Sequence, residues 1–314
     1  MESKVSKFQK SQVGLDIGNG YCNYFNAQGE GKRFKTTVLQ IENADLIQPS
    51  SEVHITEVFG KIFAVGSDAG SYVETQDIKV RITSEEYKVA FLTALALSLD
   101  YDASHAFECD VCVGLPYNLR NRFQAQLIEE IKSITANSKD ESIEFKVNNK
   151  HYQIKFNEVK VFFEGAEAVI KHKKYSDMNL LIDLGSGTTD YLLSNGKQPI
   201  VGSTIYNAMN EVLKNVYAEK QRLGQNIKRE YAIKYINDED VAHVVAESVK
   251  KIYKEVAELV TAEYMNLVDE VVFVGGGAIA TEKHLKELIT DKKCTIVEDA
   301  QFSNVTIYQA FIER

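Results

Sequence analysis

Val13-Gly14-Leu15-Asp16-Ile17-Gly18-Asn19-Gly20 near the start of the chain has a counterpart in Leu181-Ile182-Asp183-Leu184-Gly185-Ser186-Gly187-Thr188-Thr189-Asp190-Tyr191. A shift of 167 positions places Asp16 on Asp183, Gly18 on Gly185, Gly20 on Gly187 and Tyr24 on Tyr191. With this Asp and Gly content, one Asp-x-Gly-x-Gly is expected by chance about 0.05 times in such a chain. An Asn-Gly pair alone marks only an ordinary hairpin turn. Two copies, each closing one apolar strand and opening another, point instead to a duplicated unit spaced by about half the chain.

The rest of the composition fits that reading. The chain has 314 residues, 44% of them hydrophobic and 26% charged, with a net charge of −9. This length buries a large core and suggests two domains. The acidic balance argues against direct binding of a nucleic-acid backbone, which needs clustered Lys and Arg. Four cysteines are too few for a disulfide scaffold. Cys109 and Cys112 lie on an expected strand at an odd offset, so they point to opposite faces and read as buried thiols. The opening residues Met1 to Gln12 are polar and lysine-rich, with no following signal-peptide core. The longest apolar run, Ala90 to Leu99, is too short to cross a bilayer, which takes ~20 residues. A soluble, cytoplasmic protein is expected.

The pattern is mixed α and β. Residues 13–40 read as three strands, and Val53 to Val65 as a hairpin turning at Gly60-Lys61. Thr83 with Glu86 forms a capping box for a helix to about Leu99. Asp110 to Leu115 is a strand stopped by Pro116, followed by a helix from Asn118 to Ala136. Ile143 to Phe163 reads as strands turning at Asn148-Asn149, and Gly165 to Lys174 as a short helix. Leu180 to Ser194 is the second hairpin. Helices are expected over Tyr206 to Arg222, Asp240 to Met265, Ala278 to Ile289 and Val305 to Glu313, with strands at Glu270 to Val274 and Cys294 to Val297.

The hairpins carry recognisable chemistry. Glycines let backbone approach a ligand closely, and successive N–H groups form a concave anion site. A carboxylate beside such a site repels phosphate unless a cation lies between. Asp16 and Asp183 are therefore candidate ligands, through water, of Mg²⁺ bridging phosphate oxygens. The phosphate-binding candidates are Asp16, Gly18, Asn19, Gly20 and Asn23 in the first hairpin, and Gly185, Ser186, Gly187 and Thr188 in the second. A third motif, Val271-Val272-Phe273-Val274-Gly275-Gly276-Gly277-Ala278, ends a buried strand in bare backbone against which a nucleoside can lie. Glu164, in Phe162-Phe163-Glu164-Gly165-Ala166-Glu167, has two readings. It orients a water, or it is a helix-start acid held by the helix dipole. No P-loop and no nucleophile elbow is present.

These four elements in this order resemble the actin, sugar kinase and chaperone ATPase superfamily over residues 13–314. Within it the chain is most similar to the ParM-like plasmid-segregation actins. The stretches that carry this are Asp16-Ile17-Gly18-Asn19-Gly20, Ile236-Asn237-Asp238-Glu239-Asp240 with the long helix after it, and the tail Asp299-Ala300-Gln301-Phe302-Ser303-Asn304-Val305. The resemblance implies an α/β, duplicated actin-like fold with two domains around a nucleotide cleft. The first would span 1–163, with a small subdomain about 36–75; the second would span 164–314, with a small subdomain about 210–265. It implies binding of ATP or GTP with Mg²⁺, polymerisation into filaments, and hydrolysis that destabilises them. Glu164 and Asp183 would be the catalytic residues. The implied partners are further copies of the chain and a DNA-binding adaptor on plasmid centromere DNA, with no membrane.

Two positions depart from the family. Relatives often carry Lys seven residues after the first Asp, where this chain has Asn23, which brings no charge; Lys32 or Lys35 could compensate. Relatives often have Gly three residues after the tail Asn, where this chain has Ile307. Three rivals share the fold: a small-molecule kinase, an MreB-like cytoskeletal actin, and a nucleotide sensor that does not polymerise. The MreB-like reading needs a membrane-binding segment, and Val5 and Phe8 form only a thin apolar stripe among lysines. A chaperone ATPase would need a peptide-binding domain, for which 314 residues leave no room.

Overall fold

The computed structural model describes residues 8–66, 78–136, 138 and 140–313. Val5 of the N-terminal stripe and residues 67–75 of the expected small subdomain lie outside the described residues. The chain divides into two compact units. One comprises the residues up to Leu115, Leu119–Phe162 and the tail from Val305; the other comprises Pro116–Asn118 and Phe163–Asn304.

The first unit is built on nine strands: β1 (Gln9–Ile17), β2 (Tyr21–Phe25), β3 (Gly31–Lys35), β4 (Val38–Ile41), β5 (Val53–Val58), β6 (Lys61–Gly66), β7 (Ala106–Leu115), β8 (Ser142–Val147) and β9 (Lys150–Phe163). Their order is β3-β2-β1-β7-β9-β8-β5-β6-β4. The second unit holds β10 (Met178–Leu184), β11 (Thr189–Asn195), β12 (Gln198–Ile205), β13 (Glu270–Val274) and β14 (Lys293–Ile296), in the order β12-β11-β10-β13-β14.

The duplication read from the two motifs is thus a duplication of topology. In each unit three antiparallel strands (β3-β2-β1 and β12-β11-β10) are followed by a strand parallel to the first (β7 beside β1, β13 beside β10). A parallel neighbour cannot be reached through a tight turn, so a helical crossover must intervene. In the first unit the crossover includes the helix Glu85–Ser98, buried at Tyr87 and at every position from Val89 to Ala96. That helix explains the longest apolar run: it is a core helix, apolar nearly all round. In the second unit the helices Met209–Arg222 and Ala242–Val260 intervene. Val245, Val249, Ile252, Val256 and Val260 form the buried stripe of the latter, as the apolar spacing predicts.

Several boundaries differ from expectation, each for a local reason. A fourth strand, Val38–Ile41, follows the first three because it pairs with β6 across 20 or more residues of sequence. The cap of the core helix is Ser84, whose Oγ accepts from Tyr87 N at 3.1 Å. Thr83 instead ends the preceding helix Ile78–Thr83 and donates to Lys79 O. The long helix expected to Met265 breaks at Thr261, which has φ +70°. The helix after the glycine triplet is split at Thr281, between Gly276–Ala280 and Glu282–Leu288. The turn at Asn148-Asn149 has φ of +50° and +65°, the mirror-image hairpin geometry that Asn tolerates. Cys109 and Cys112 are buried free thiols, pushed up by burial.

The tail was expected with residues 164–304, but from Val305 it packs with the first unit. Gly14 and Gly114 explain this. A Cβ at Gly14 would stand 2.4 Å from Gln309 N, and one at Gly114 would stand 2.0 Å from Tyr308 Oη. The close strand–helix contact that a glycine at position 307 would serve is provided here by glycines on the strands. Ile307 itself is buried, and the Gln309 side chain accepts from Gly14 N at 2.7 Å.

Candidate functional site

The first hairpin joins β1 to β2. Its register sets Asp16 opposite Asn23, and both are buried. Asn23 Nδ2 donates to Asp16 Oδ2 at 2.9 Å. A buried carboxylate needs such a donor, and a bond to a charged group is worth about 1.5–3 kcal/mol. At the turn, Gly18 N donates to Tyr21 O at 2.9 Å, and a Cβ at Gly18 would meet that oxygen at 2.9 Å. Thr36 fastens the turn from β3's far end: its Oγ1 donates to Gly18 O at 2.8 Å and its N to Gly20 O at 3.1 Å. The carbonyls of Gly18 and Gly20 are thereby committed. Among the described residues, the N–H groups of Asn19 and Gly20 make no backbone bond.

Arg81, which sequence reading did not single out, reaches this turn. Its guanidinium donates to Ile17 O and lies over the Tyr87 ring, 5.5 Å from its centroid. Its charge opposes the burial that pushes the Cys22 thiol up to about 12. Lys32, by contrast, is paired with Glu30 at 3.0 Å on the exposed side of β3. The first hairpin therefore carries a cation drawn from the segment before the core helix.

The second hairpin joins β10 to β11, and its register sets Asp183 opposite Asp190. Gly185 N donates to Thr188 O at 3.1 Å. Gly185 O and Ser186 O accept from Met209 N and Asn210 N, at 3.2 and 2.9 Å, which caps the start of the helix Met209–Arg222. Among the described residues, the N–H groups of Ser186, Gly187 and Thr188 make no backbone bond. Both turns thus spend most of their carbonyls on the protein and leave successive N–H groups without a backbone partner, the arrangement of a concave anion site.

Around Asp183 the second unit assembles acids. Asp190 is buried; its Oδ1 accepts from Tyr117 N at 2.9 Å and from Thr204 Oγ1 at 2.6 Å. Glu164 shares a side-chain hydrogen bond with Asp190. Burial raises the carboxyl of Asp183 to about 6, and raises Asp190 further, with the Asp183 charge adding to it. Gly165, at φ +75°, brings the Glu164 turn against them: its Cβ would stand 3.8 Å from Asp183 Cβ and 4.0 Å from Asp190 Cβ. Glu167, not Glu164, is the helix-start acid. It is buried, pairs with Lys171 at 2.9 Å, and accepts from Tyr175 and Ser303. Glu164, Asp183 and Asp190 therefore form one acidic cluster inside the second unit, and Asp190 is the member sequence reading did not list.

The glycine triplet follows β13, which runs parallel to β10. Gly275 has φ +89°, and its Cβ would stand 2.4 Å from Asp183 Oδ1. A Cβ at Gly277 would meet Leu184 O at 2.6 Å. These two glycines are required by protein packing, whereas a Cβ at Gly276 meets nothing within 4 Å. The open space beside the triplet is therefore centred on Gly276.

Asp16 and Asp183 supply hard oxygen donors, which suit Mg²⁺. Among the described residues no group of three or more His, Cys, Asp or Glu side chains is arranged to hold a metal. Among the described residues, no helix is long and apolar enough to cross a membrane.

Comparison with known proteins agrees with this geometry. Residues 14–166 match the family model described as actin like proteins N terminal domain. No curated protein sequence matches. The archaeal actin homolog Ta0583 aligns at a TM-score of 0.77 and 17% identity, covering 96% of this chain and 99% of that one; it has also been solved in complex with ADP. A 15-stranded ParM filament from Clostridium botulinum aligns at 0.77 and 19% identity, covering 98% and 99%. The actin-like protein Alp7A aligns at 0.68 and 16%, covering 97% and 96%. Residues 14–166 thus resemble the N-terminal domain of actin-like proteins, and the chain has the two-domain actin-like fold.

Proposed function

We propose that this protein is a nucleotide-dependent, filament-forming actin-like ATPase or GTPase that segregates plasmid DNA through a DNA-binding adaptor. The observation that carries the reading is the pair of Asp-x-Gly-x-Gly hairpins. Each has a buried carboxylate at its root and a turn with N–H groups available to phosphate. The Ta0583 complex with ADP and the ParM filament support nucleotide binding and self-association respectively.

In this reading each unit contributes its hairpin to nucleotide binding: Gly18, Asn19, Gly20 and Asn23 from one, Gly185, Ser186, Gly187 and Thr188 from the other. Gly275, Gly276 and Gly277 face the nucleoside. Asp16 and Asp183 would hold Mg²⁺ through water, and the ion would neutralise phosphate charge. Arg81 adds positive charge to the first hairpin. Glu164 orients a water toward the terminal phosphorus, with Asp190 holding Glu164 in place. Attack breaks the bond between the terminal phosphorus and its bridging oxygen, giving the diphosphate, phosphate and a proton. Catalysis here rests on positioning and electrostatics. The net charge of −9 leaves DNA contact to the adaptor, and in this reading the protein acts in the cytoplasm.

Light scattering with parallel phosphate release, on adding Mg-ATP or Mg-GTP to the full chain, tests this reading. Scattering that rises and then decays as phosphate appears is expected. Phosphate transfer to a small acceptor without scattering would overturn it in favour of a kinase.

A further inference from the structure

We propose that Asn304 is a positioning residue for hydrolysis, its amide tying the Asp183 carboxylate to the backbone of the Glu164 turn. The inference rests on the nucleotide-hydrolysing reading above. Asn304 Nδ2 donates to Asp183 Oδ2 at 2.8 Å, and Asn304 Oδ1 accepts from Gly165 N at 3.0 Å. One planar group thus joins two residues that both stand far from it in sequence, and each end is used in the only sense its chemistry allows. A carboxylate at position 304 would still accept from Gly165 but would repel Asp183. An alkyl side chain would do neither.

The tie bears on Glu164 because Gly165 sets the direction in which Glu164 leaves the strand. Gly165 is held in the left-handed region and has no spare volume: a Cβ would stand 3.1 Å from Leu181 Cδ2. Its one N–H goes to Asn304. The adjacent Ser303 Oγ donates to Glu167 Oε2 at 3.0 Å, so the start of the terminal helix grips both ends of the turn. Ser303 acts on an acid that is already paired with Lys171, which makes it a structural contact. Asn304 acts on the two groups assigned to the reaction.

The test uses the full chain with Asn304→Ala, the isosteric Asn304→Asp, and Ser303→Ala as control. Nucleotide affinity by equilibrium titration, phosphate release and melting temperature are measured for each. Asn304→Ala and Asn304→Asp should bind Mg-nucleotide within about threefold of wild type yet release phosphate about a hundredfold more slowly, the order expected for misplaced reacting groups. Ser303→Ala should lower the melting temperature and keep the rate. Should Asn304→Ala not fold, the isosteric variant carries the test. Rates within twofold of wild type, or a loss matched by equal loss of nucleotide affinity, overturn the assignment. A wild type that binds nucleotide but releases no phosphate overturns the proposed function, and this inference falls with it.

Discussion

The two hairpins share a topology and a motif but differ at one register position. Opposite Asp16 stands Asn23; opposite Asp183 stands Asp190. The same shift of 167 that aligns the motifs aligns these two residues. In the first hairpin the opposite residue donates to the carboxylate at 2.9 Å, and a guanidinium lies on the turn. In the second the opposite residue is another acid, and a third acid joins it. The first hairpin gives its buried carboxylate an amide donor and carries a guanidinium on its turn. The second sets its carboxylate among buried acids, and burial raises Asp183 and Asp190. One duplicated unit thus acquires two electrostatic characters; in the proposed function the first binds phosphate and the second serves the chemistry.

The largest expected effect breaks the chemistry of the second hairpin. Glu164→Ala should slow phosphate release by about 10²–10⁴-fold, the range for a positioned acid or base, while nucleotide-dependent assembly persists. Unchanged release in a phosphate assay would remove Glu164 from the reaction.

The next variant makes the first hairpin resemble the second. Asn23→Asp sets a carboxylate against buried Asp16, replacing a donor with a like charge. Mg-nucleotide affinity should fall about tenfold to a hundredfold, by ~1.4 kcal/mol for each factor of ten. Titration calorimetry reads it, and an unchanged affinity would show that the Asn23–Asp16 bond does not matter to binding.

The reverse change makes the second hairpin resemble the first. Asp190→Asn keeps the Oδ1 acceptor used by Tyr117 and Thr204 and removes a buried charge. The folded value of Asp190 is raised above its unfolded one, so its contribution to stability is complete at acid pH and is lost as pH rises through the folded value. The variant should therefore melt a few degrees above wild type at pH 8 and show no gain at pH 4, at roughly 2–4 °C per kcal/mol. Melting scans at both values decide it. A gain of equal size at both would show that charge is not the cause.

The smallest effect concerns the glycine triplet. Gly276→Ala should leave stability within about 0.5 kcal/mol, because nothing lies within 4 Å of its added carbon, and should weaken nucleotide binding severalfold. Gly277→Ala should cost about 1–3 kcal/mol from overpacking against Leu184. Denaturant unfolding separates the two.

How much of this was legible in the sequence follows from the range of the interactions. The motif spacing located both hairpins, because Gly and Asp at fixed offsets act within a turn. The triplet after β13 and the turn at Asn148-Asn149 were legible for the same reason. The role of Asn23 was not, since only cross-strand register shows that its amide faces Asp16. Asp190 sat inside the quoted motif, yet nothing local marks it as the partner of Glu164. Arg81 and Asn304 lie far along the chain from the groups they touch, and only packing brings them there. The tail's place beside the first unit was not legible either, because two glycines on distant strands, not the tail's own residues, create its seat. The helix breaks at Thr261 and Thr281 carry neither Gly nor Pro as a signal.

The central claim is that both hairpins serve nucleotide binding. Calorimetric titration of Mg-ATP and Mg-GTP into wild type, Asp16→Ala and Asp183→Ala measures it most directly. One nucleotide per chain is expected, with each substitution alone weakening binding about tenfold or more. Two independent sites per chain, or an affinity untouched by either substitution, would contradict the account.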